Sequence, residues 1–554
     1  MAVAGGAAGR HEPGRGYADL VLLGGRALTL ADDAAPAEGL AVRAGQILAL
    51  GDTASLREYV GPATEVIDLR GRTVVPGFID SHNHMLWAGL SVIRPALDQA
   101  RSVDDVLGIV ARAAAERLPG EWIVAAPAWH VHDLREQRHP TRHELDRVAP
   151  QHPVFLASYV HDASVNTAAL QRCGIDARTP DPDGGSIERD AATGEPTGVL
   201  REGPALWLVE QHVPRLTTAE MARAITIMGQ RYWEAGITSI LDPALTPREM
   251  RAYSHLWRAA SLPVRTAMLL RLDAEPGLEP GLALLDAWGV ASGFGDDWLK
   301  LGGVKVFLDG AITKGAGMLE TPYAESPHPD GIQAMDDATL LALVRRAHEY
   351  GWQFTAHSSG DRAVHVLLDA YETVHREQPL DGRRFQAIHA HLSRPADRAR
   401  ARALGVVVVP QPVAISRANW TGILAPGEAD RLWPLRSYLD EGVHVAGSSD
   451  APLHPYEPLR GVWSAVARQV VATGAVHAPE QRLTRLEALR LFTRDGAYAT
   501  FDEDRKGTLA PGKLADFVVL GDDPLTCPEA DLKDLPVLLT AVAGRVVHRS
   551  AELP

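Results

Sequence analysis

Three stretches decide the architecture: LGGVKVFLDG (301–310), WQFTAHSSG (352–360) and FQAIHAHL (385–392). Each is a short apolar run ending in polar residues, and helical patterns separate them, DDATLLALVRRAHEYG (336–351) and DRAVHVLLDAYETVHRE (361–377). The alternation extends outward to GITSILDP (236–243), VRTAMLLRL (264–272), GVVVVPQP (405–412) and GVHVAGSSDAP (442–452), and back to TVVPGFID (73–80). Apolar strands alternating with helices call for a parallel sheet covered by helices. Eight such units close into an α/β (β/α)8 TIM barrel. The expected barrel spans residues 76–504, with an insertion at about 90–235 that carries its own strand-like runs, WIVAAPAWH (122–130) and PVFLASYV (153–160).

The ends of the chain differ from its middle. ADLVLLGGRALTL (18–30) and GLAVRAGQILAL (39–50), like KGTLAPGKLADFVVL (506–520) and LTAVAGRVVHRS (539–550), read as strand–turn–strand. Neither end has enough apolar surface for a core of its own. Residues 17–75 plus 505–554 are therefore expected to form one composite β-sandwich. Residues 1–16 are small, polar and Gly-rich, and read as a disordered tail.

Composition excludes several classes. Lys+Arg 55 against Asp+Glu 70 leaves a net charge of −15, so no basic surplus exists to neutralise phosphates, and nucleic-acid or anionic-membrane binding is not expected. No apolar run is long enough to span a membrane, and no secretory signal is legible. Two cysteines, Cys173 and Cys527, cannot staple 554 residues, which points to a reducing, cytoplasmic setting. A homodimer is an assembly open to such a barrel.

Chemistry-bearing residues collect at the C-terminal ends of the proposed strands, the face where barrels of this type place their sites. His82 and His84 follow the first strand; residues i and i+2 of an extended chain share a face, so both imidazoles reach one metal, unless hydrogen bonds satisfy them separately. His357 ends WQFTAH and His389 ends FQAIH. His391, two residues on, competes with His389 for the same side. Asp450 ends VHVAGSSD, either as a helix cap or as a ligand that also moves a proton. Lys305 sits in an apolar strand. A bare ammonium there needs an ion pair or a route to the rim; a neutral amine takes up carbon dioxide to become an anionic carbamate.

Together, PGFIDSHNH, VKVFLDG, TAHSSGDRAV, IHAH, GSSDAP and KGTLAPGKLADFVVL resemble the amidohydrolase superfamily, and within it the N-substituted formamide deformylase-like branch; HDASVNTAAL (161–170) and GEPTGVLRE (194–202) extend the likeness into the insertion. The resemblance implies a metal-dependent hydrolase that cleaves a non-peptide carbon–nitrogen bond in a small-molecule amide, N-substituted formamides among the candidates. It implies His82, His84, His357, His389 and Asp450 as ligands of two zinc ions, Lys305 as a carbamate made with carbon dioxide, a metal-bound hydroxide as nucleophile and Asp450 as the catalytic proton carrier. His161 and His391 are read as substrate contacts. The chain departs from the family at Ile388, where a Glu is usual, at His391, where a Gln is expected, and at Lys314; these positions bear on the substrate. The competing readings are a one-metal deaminase or cyclic-amide hydrolase on the same barrel, and a non-catalytic scaffold.

Overall fold

The computed structural model describes residues 16–553 except 33–36, 127, 128, 130, 159–161, 183, 184, 274–276, 327, 419 and 420, with the backbone alone at 132 and 202. Eight parallel strands form one sheet in chain order: β1 (Phe78–Asp80), β2 (Ile237–Leu245), β3 (Arg265–Arg271), β4 (Leu299–Phe307), β5 (Phe354–Ser358), β6 (Gln386–His389), β7 (Val407–Val409) and β8 (His444–Val445). β2 is buried along all nine residues, as a strand covered on both faces must be. The sheet curls until its edges meet: Ser81 N donates to Gly447 O at 3.1 Å and Asp450 N donates to His82 O at 2.8 Å. This is a TIM-barrel-like α/β domain.

Local chemistry starts the covering helices. Thr217 and Thr246 each form a capping box with the glutamate three residues on, opening Thr218–Glu234 and Pro247–Arg258. Asp336 accepts from Thr339 N and starts Asp337–Glu349, within the helical pattern read at 336–351. The helix Asp361–Glu377 has the limits read from its sequence.

The run TVVPGFID, read as one strand, divides at Gly77. Thr73–Pro76 pairs antiparallel with Phe517–Leu520, whereas Phe78–Asp80 enters the curled sheet. Gly77 N donates to Asp516 O at 2.9 Å, and a Cβ at Gly77 would lie 2.3 Å from the Thr238 hydroxyl. Only a residue without a side chain lets the chain pass between the two sheets here. The strand Thr73–Pro76 is second in a five-stranded sheet built from both chain ends, ordered Arg26–Ala27, Thr73–Pro76, Phe517–Leu520, Val537–Val542 and Arg545–Arg549. A second sheet holds Gln46–Gly51, Gly39–Arg43, Leu20–Leu23 and Glu65–Asp68. One apolar cluster joins Leu22, Leu40 and Ile67 to Val74, Phe517 and Leu539.

The segment at 90–235 contains a five-stranded sheet, ordered Ser186–Arg189, Pro196–Arg201, Asp162–Val165, Val154–Ser158 and Ile123–Val124. Its last helix, Thr218–Glu234, belongs with the barrel: it packs so closely on Met85–Ile93 that a Cβ on Gly89 would lie 2.3 Å from Ala224 O.

A buried ion pair ties β3 to the five-stranded sheet. Arg265 Nε donates to Asp516 Oδ2 at 2.6 Å and Nη2 to Oδ1 at 3.0 Å, with both side chains almost wholly shielded from solvent. Asp516 Oδ1 also accepts from Ala543 N at 2.8 Å. Asp516→Ala, which strands the guanidinium, is expected to cost about 3–5 kcal/mol in denaturant unfolding, whereas the double change Arg265→Met with Asp516→Ala should recover most of that loss. A single-variant loss below about 1 kcal/mol would show that the pair does not fasten the two sheets.

Candidate metal centre

The strand ends carry the chemistry. His82, His84 and Asp450 form a buried group whose ligand atoms lie within 4.8 Å of one another. Both Nε2 atoms approach Asp450 Oδ1, that of His82 at 3.4 Å and that of His84 at 3.3 Å. The ring of His389 lies 5.4 Å from that of His82, and the ring of His357 lies 4.3 Å from that of His389. Four imidazoles and one carboxylate, from β1, β5, β6 and β8, thus form a continuous chain of contacts. The ring of His391 is 5.5 Å beyond His389. His161 lies outside the described residues.

Lys305, on β4, is fully buried, and its Nζ has no hydrogen-bond partner among the described residues. Asp309, the carboxylate nearest in sequence, is already engaged: it accepts from Ser359 N at 2.9 Å, Gly360 N at 3.0 Å and Met318 N at 3.0 Å. An ordinary buried ion pair is therefore not what the lysine makes. Burial pushes the Lys305 amine down to about 7, against an upward pull from Asp450. Near neutral pH much of it is an uncharged amine.

Burial is also the first cause that holds His82 and His357 neutral, with both pushed down to about 3; the charge of Lys305 adds to it. His389 is driven well below the usual histidine range by burial and then by His357. Asp450 behaves oppositely. Burial acts to raise it, but the bonds from His82 and His84 prevail and keep it ionised. Unprotonated imidazole nitrogens beside one buried carboxylate form a donor set for a divalent cation. Without one, the partnerless buried Lys305 Nζ and the buried, unpaired Nδ1 atoms of His82 and His84 are costly.

Several residues that sequence reasoning did not single out set this geometry. Asp80 accepts from Ser449 N at 2.9 Å, Ser449 Oγ, Asn83 Nδ2 at 2.8 Å and His82 N at 3.3 Å. It thereby binds the segment of His82 and His84 to that of Asp450. Asn83 in turn accepts from Tyr232 OH. On the other side, Gln411 fixes a tautomer. Ser448 Oγ donates to Pro410 O at 2.8 Å and accepts from Gln411 Nε2 at 2.9 Å, so Gln411 Oε1 is left to accept from His389 Nδ1 at 2.7 Å. His389 then carries its proton on Nδ1 and presents Nε2 as a lone pair. Backbone strain marks the same places: His389 has φ 73° and Asp450 φ 61°, left-handed values that side-chain-bearing residues adopt at a cost of about 1–3 kcal/mol. The Ser-rich GSSD and the Gln of VVPQP were the available signals, but their roles exist only once β6, β7, β8 and β1 are adjacent.

The buried neutral histidines give the metal-free protein a specific acid sensitivity. An unfolded histidine protonates near pH 6.5, whereas His82 and His357 stay neutral in the fold down to about 3, so the unfolded state gains protons first and stability is lost as pH falls through that window. Between pH 6.5 and 5 each should cost about 2 kcal/mol. Urea midpoints of chelator-treated protein check this; a flat profile over that range would show that these rings are not buried neutral.

A family model for the amidohydrolase family matches residues 65–548. The chain is 31% identical over 546 residues to the putative amidohydrolase YtcJ of Bacillus subtilis, covering 95% of this chain and 99% of that protein. It is 32% identical over 543 residues to the N-substituted formamide deformylase of Arthrobacter pascens, covering 95% and 97%. Among solved structures, a metal-dependent hydrolase from Pyrococcus furiosus superposes with a TM-score of 0.75 at 26% identity, over 92% of this chain and all of that one. The motifs that carried the resemblance, PGFIDSHNH, IHAH and GSSDAP, are those whose side chains line the curled sheet's C-terminal mouth, and with the match running almost from end to end this chain belongs to the amidohydrolase family.

Proposed function

We propose that the protein is a metal-dependent hydrolase of a non-peptide carbon–nitrogen bond in a small-molecule amide, with N-substituted formamides as the first substrates to test. One observation carries the reading: neutral imidazoles on β1, β5 and β6, an ionised Asp450 after β8 and a partnerless Lys305 on β4 share the mouth of the sheet. His82, His84, His357, His389 and Asp450 would hold two divalent ions, zinc by the nitrogen-rich donor set, with Lys305 as a carbamate between them. When bound, such a centre supplies Lewis acidity to the amide carbonyl and lowers the pKa of water.

The residues do the rest. Asp450 accepts the proton of the attacking water at a carboxylate oxygen and returns it to the leaving nitrogen, so that amide and water become carboxylic acid and amine. Gln411 keeps the His389 proton on Nδ1, away from the centre. Asp80 holds His82 and His84 in register with Asp450. His391 contacts the substrate, and His161 does so from the insertion. The sheets from the two chain ends serve as a composite β-sandwich under the barrel. The two free thiols, Cys173 and Cys527, support a reducing, cytoplasmic setting.

Asp450→Asn keeps shape and one ligand oxygen but accepts no proton; kcat on a cleaved N-formyl or N-acyl amine should fall about 10²–10⁴-fold. Turnover near that of the parent would remove Asp450 from the proton transfer. Lys305→Ala should lose both bound zinc, read by elemental analysis, and activity, and added short-chain carboxylate should restore part of each. Full metal content in Lys305→Ala would sink the two-ion centre and favour a one-metal deaminase.

A further inference from the structure

The mouth of the sheet carries further nitrogen groups beyond the metal centre. The connections after β6, β7 and β8 each carry a nitrogen base or cation. His391 stands two residues past β6, Arg417 closes the short turn Pro412–Arg417 after β7, and His454 lies four residues past Asp450. His391 is held firmly: its N donates to Ser359 O at 3.2 Å, its O accepts from Trp433 N at 2.7 Å, and its ring lies between those of His389 and Trp433, at 5.5 and 5.6 Å. It is 7% exposed, and neither ring nitrogen meets a partner among the described residues. His454 Nδ1 is likewise buried and unpaired.

Contacts link the three groups: Arg417 bonds to Leu453, the neighbour of His454, Leu453 N donates to Asp450 O at 3.0 Å, and Asp450 connects through His82 and His389 to the ring of His391. A charge on His391 or His454 opposes a charge on the other, and the Arg417 guanidinium acts on His454. Arg417 is anchored there by Nη1 donating to Leu453 O at 3.0 Å. The carboxylate that acts on both rings is Asp450, which already faces His82 and His84. Each neutral imidazole has one N–H to donate, and a guanidinium only donates, so the site offers several donors. Such a cluster is complementary to a group that accepts at two oxygens and carries negative charge.

We infer that His391, His454 and Arg417 form a carboxylate-binding subsite beside the metal centre, so that the substrate is an amide bearing a carboxylate close to the bond that is cut. The inference rests on the amide-hydrolase reading above and narrows it: a simple uncharged formamide fills only part of the site. His391, which replaces the glutamine expected of the family, belongs to this device rather than to the ligand set.

Matched pairs test it. N-formylphenylalanine and N-formylphenethylamine, and the two N-acetyl counterparts, differ only by the carboxylate. With zinc-loaded protein, kcat/KM should favour the carboxylate member of each pair about 10- to 100-fold, the usual worth of one charge-assisted hydrogen bond. Calorimetric binding of the same compounds should show the same order. Because a carboxylate also binds zinc directly, the decisive comparison is with Arg417→Met and His454→Phe, checked for parental zinc content and melting temperature; in each the ratio should collapse toward one. A ratio of one in the parent, or a ratio that both variants leave intact, overturns the subsite. A binding preference lost in the variants, with no amide cleaved, would uphold the subsite and overturn the amide-hydrolase reading. Cleavage of both members of each pair at equal rates would do the reverse.

Discussion

The site depends on one buried carboxylate. Asp80 ends β1 and gathers four donors, from Ser449 backbone and hydroxyl, Asn83 side chain and His82 backbone. More than 360 residues separate Asp80 from Ser449, yet this clasp joins the first and last strands of the sheet where the two ligand-bearing segments meet. Burial pushes the Asp80 carboxyl up to about 6, even though all of these donors pull it down. A group so enclosed is stabilising only when fully bonded, which fixes the relative position of His82, His84 and Asp450 rather than merely favouring it.

The electrostatics of the centre follow from the same enclosure. Taking His82, His357, His389, Lys305 and a carboxylate out of water favours the uncharged form of each, and all but the carboxylate yield. Asp450 stays ionised because two imidazole nitrogens address one of its oxygens. The result is lone pairs and a single negative charge around a lysine with no hydrogen-bond partner among the described residues, an arrangement that suits cations and a modified amine. Gln411 adds direction, since its amide oxygen receives the His389 proton at 2.7 Å while its amide nitrogen donates to Val409 O and Ser448 Oγ.

One departure from the family pattern, His391, lies beyond His389 rather than among the ligands. His391 and His454 stand on connections from the same sheet edge as His389 and Asp450, but with ring nitrogens left over. On the proposed reading the scaffold separates two tasks: strand ends fix the cleaving machinery, and the residues two to eight positions further along shape what it cleaves.

By itself the sequence determined the alternation of apolar strands and helices, the placing of His82, His84, Lys305, His357, His389 and Asp450 at or near strand ends, and the family that the motifs resemble. These are local properties: periodicity, composition and the residue that follows an apolar run. What the tertiary structure alone decided is contact between distant segments. TVVPGFID reads as one strand, because nothing local at Gly77 announces that Thr238 and Asp516 will press on it from two sheets. The helix Thr218–Glu234 reads as part of the insertion, because only packing against Gly89 assigns it to the barrel. Asp80, Gln411 and Ser448 read as ordinary polar residues, because a hydrogen bond across the sheet leaves no trace in the spacing of either partner. The carboxylate subsite is the extreme case: His391, Arg417 and His454 share no motif, and only the pairing of β6, β7 and β8 as neighbours brings together the connections that carry them.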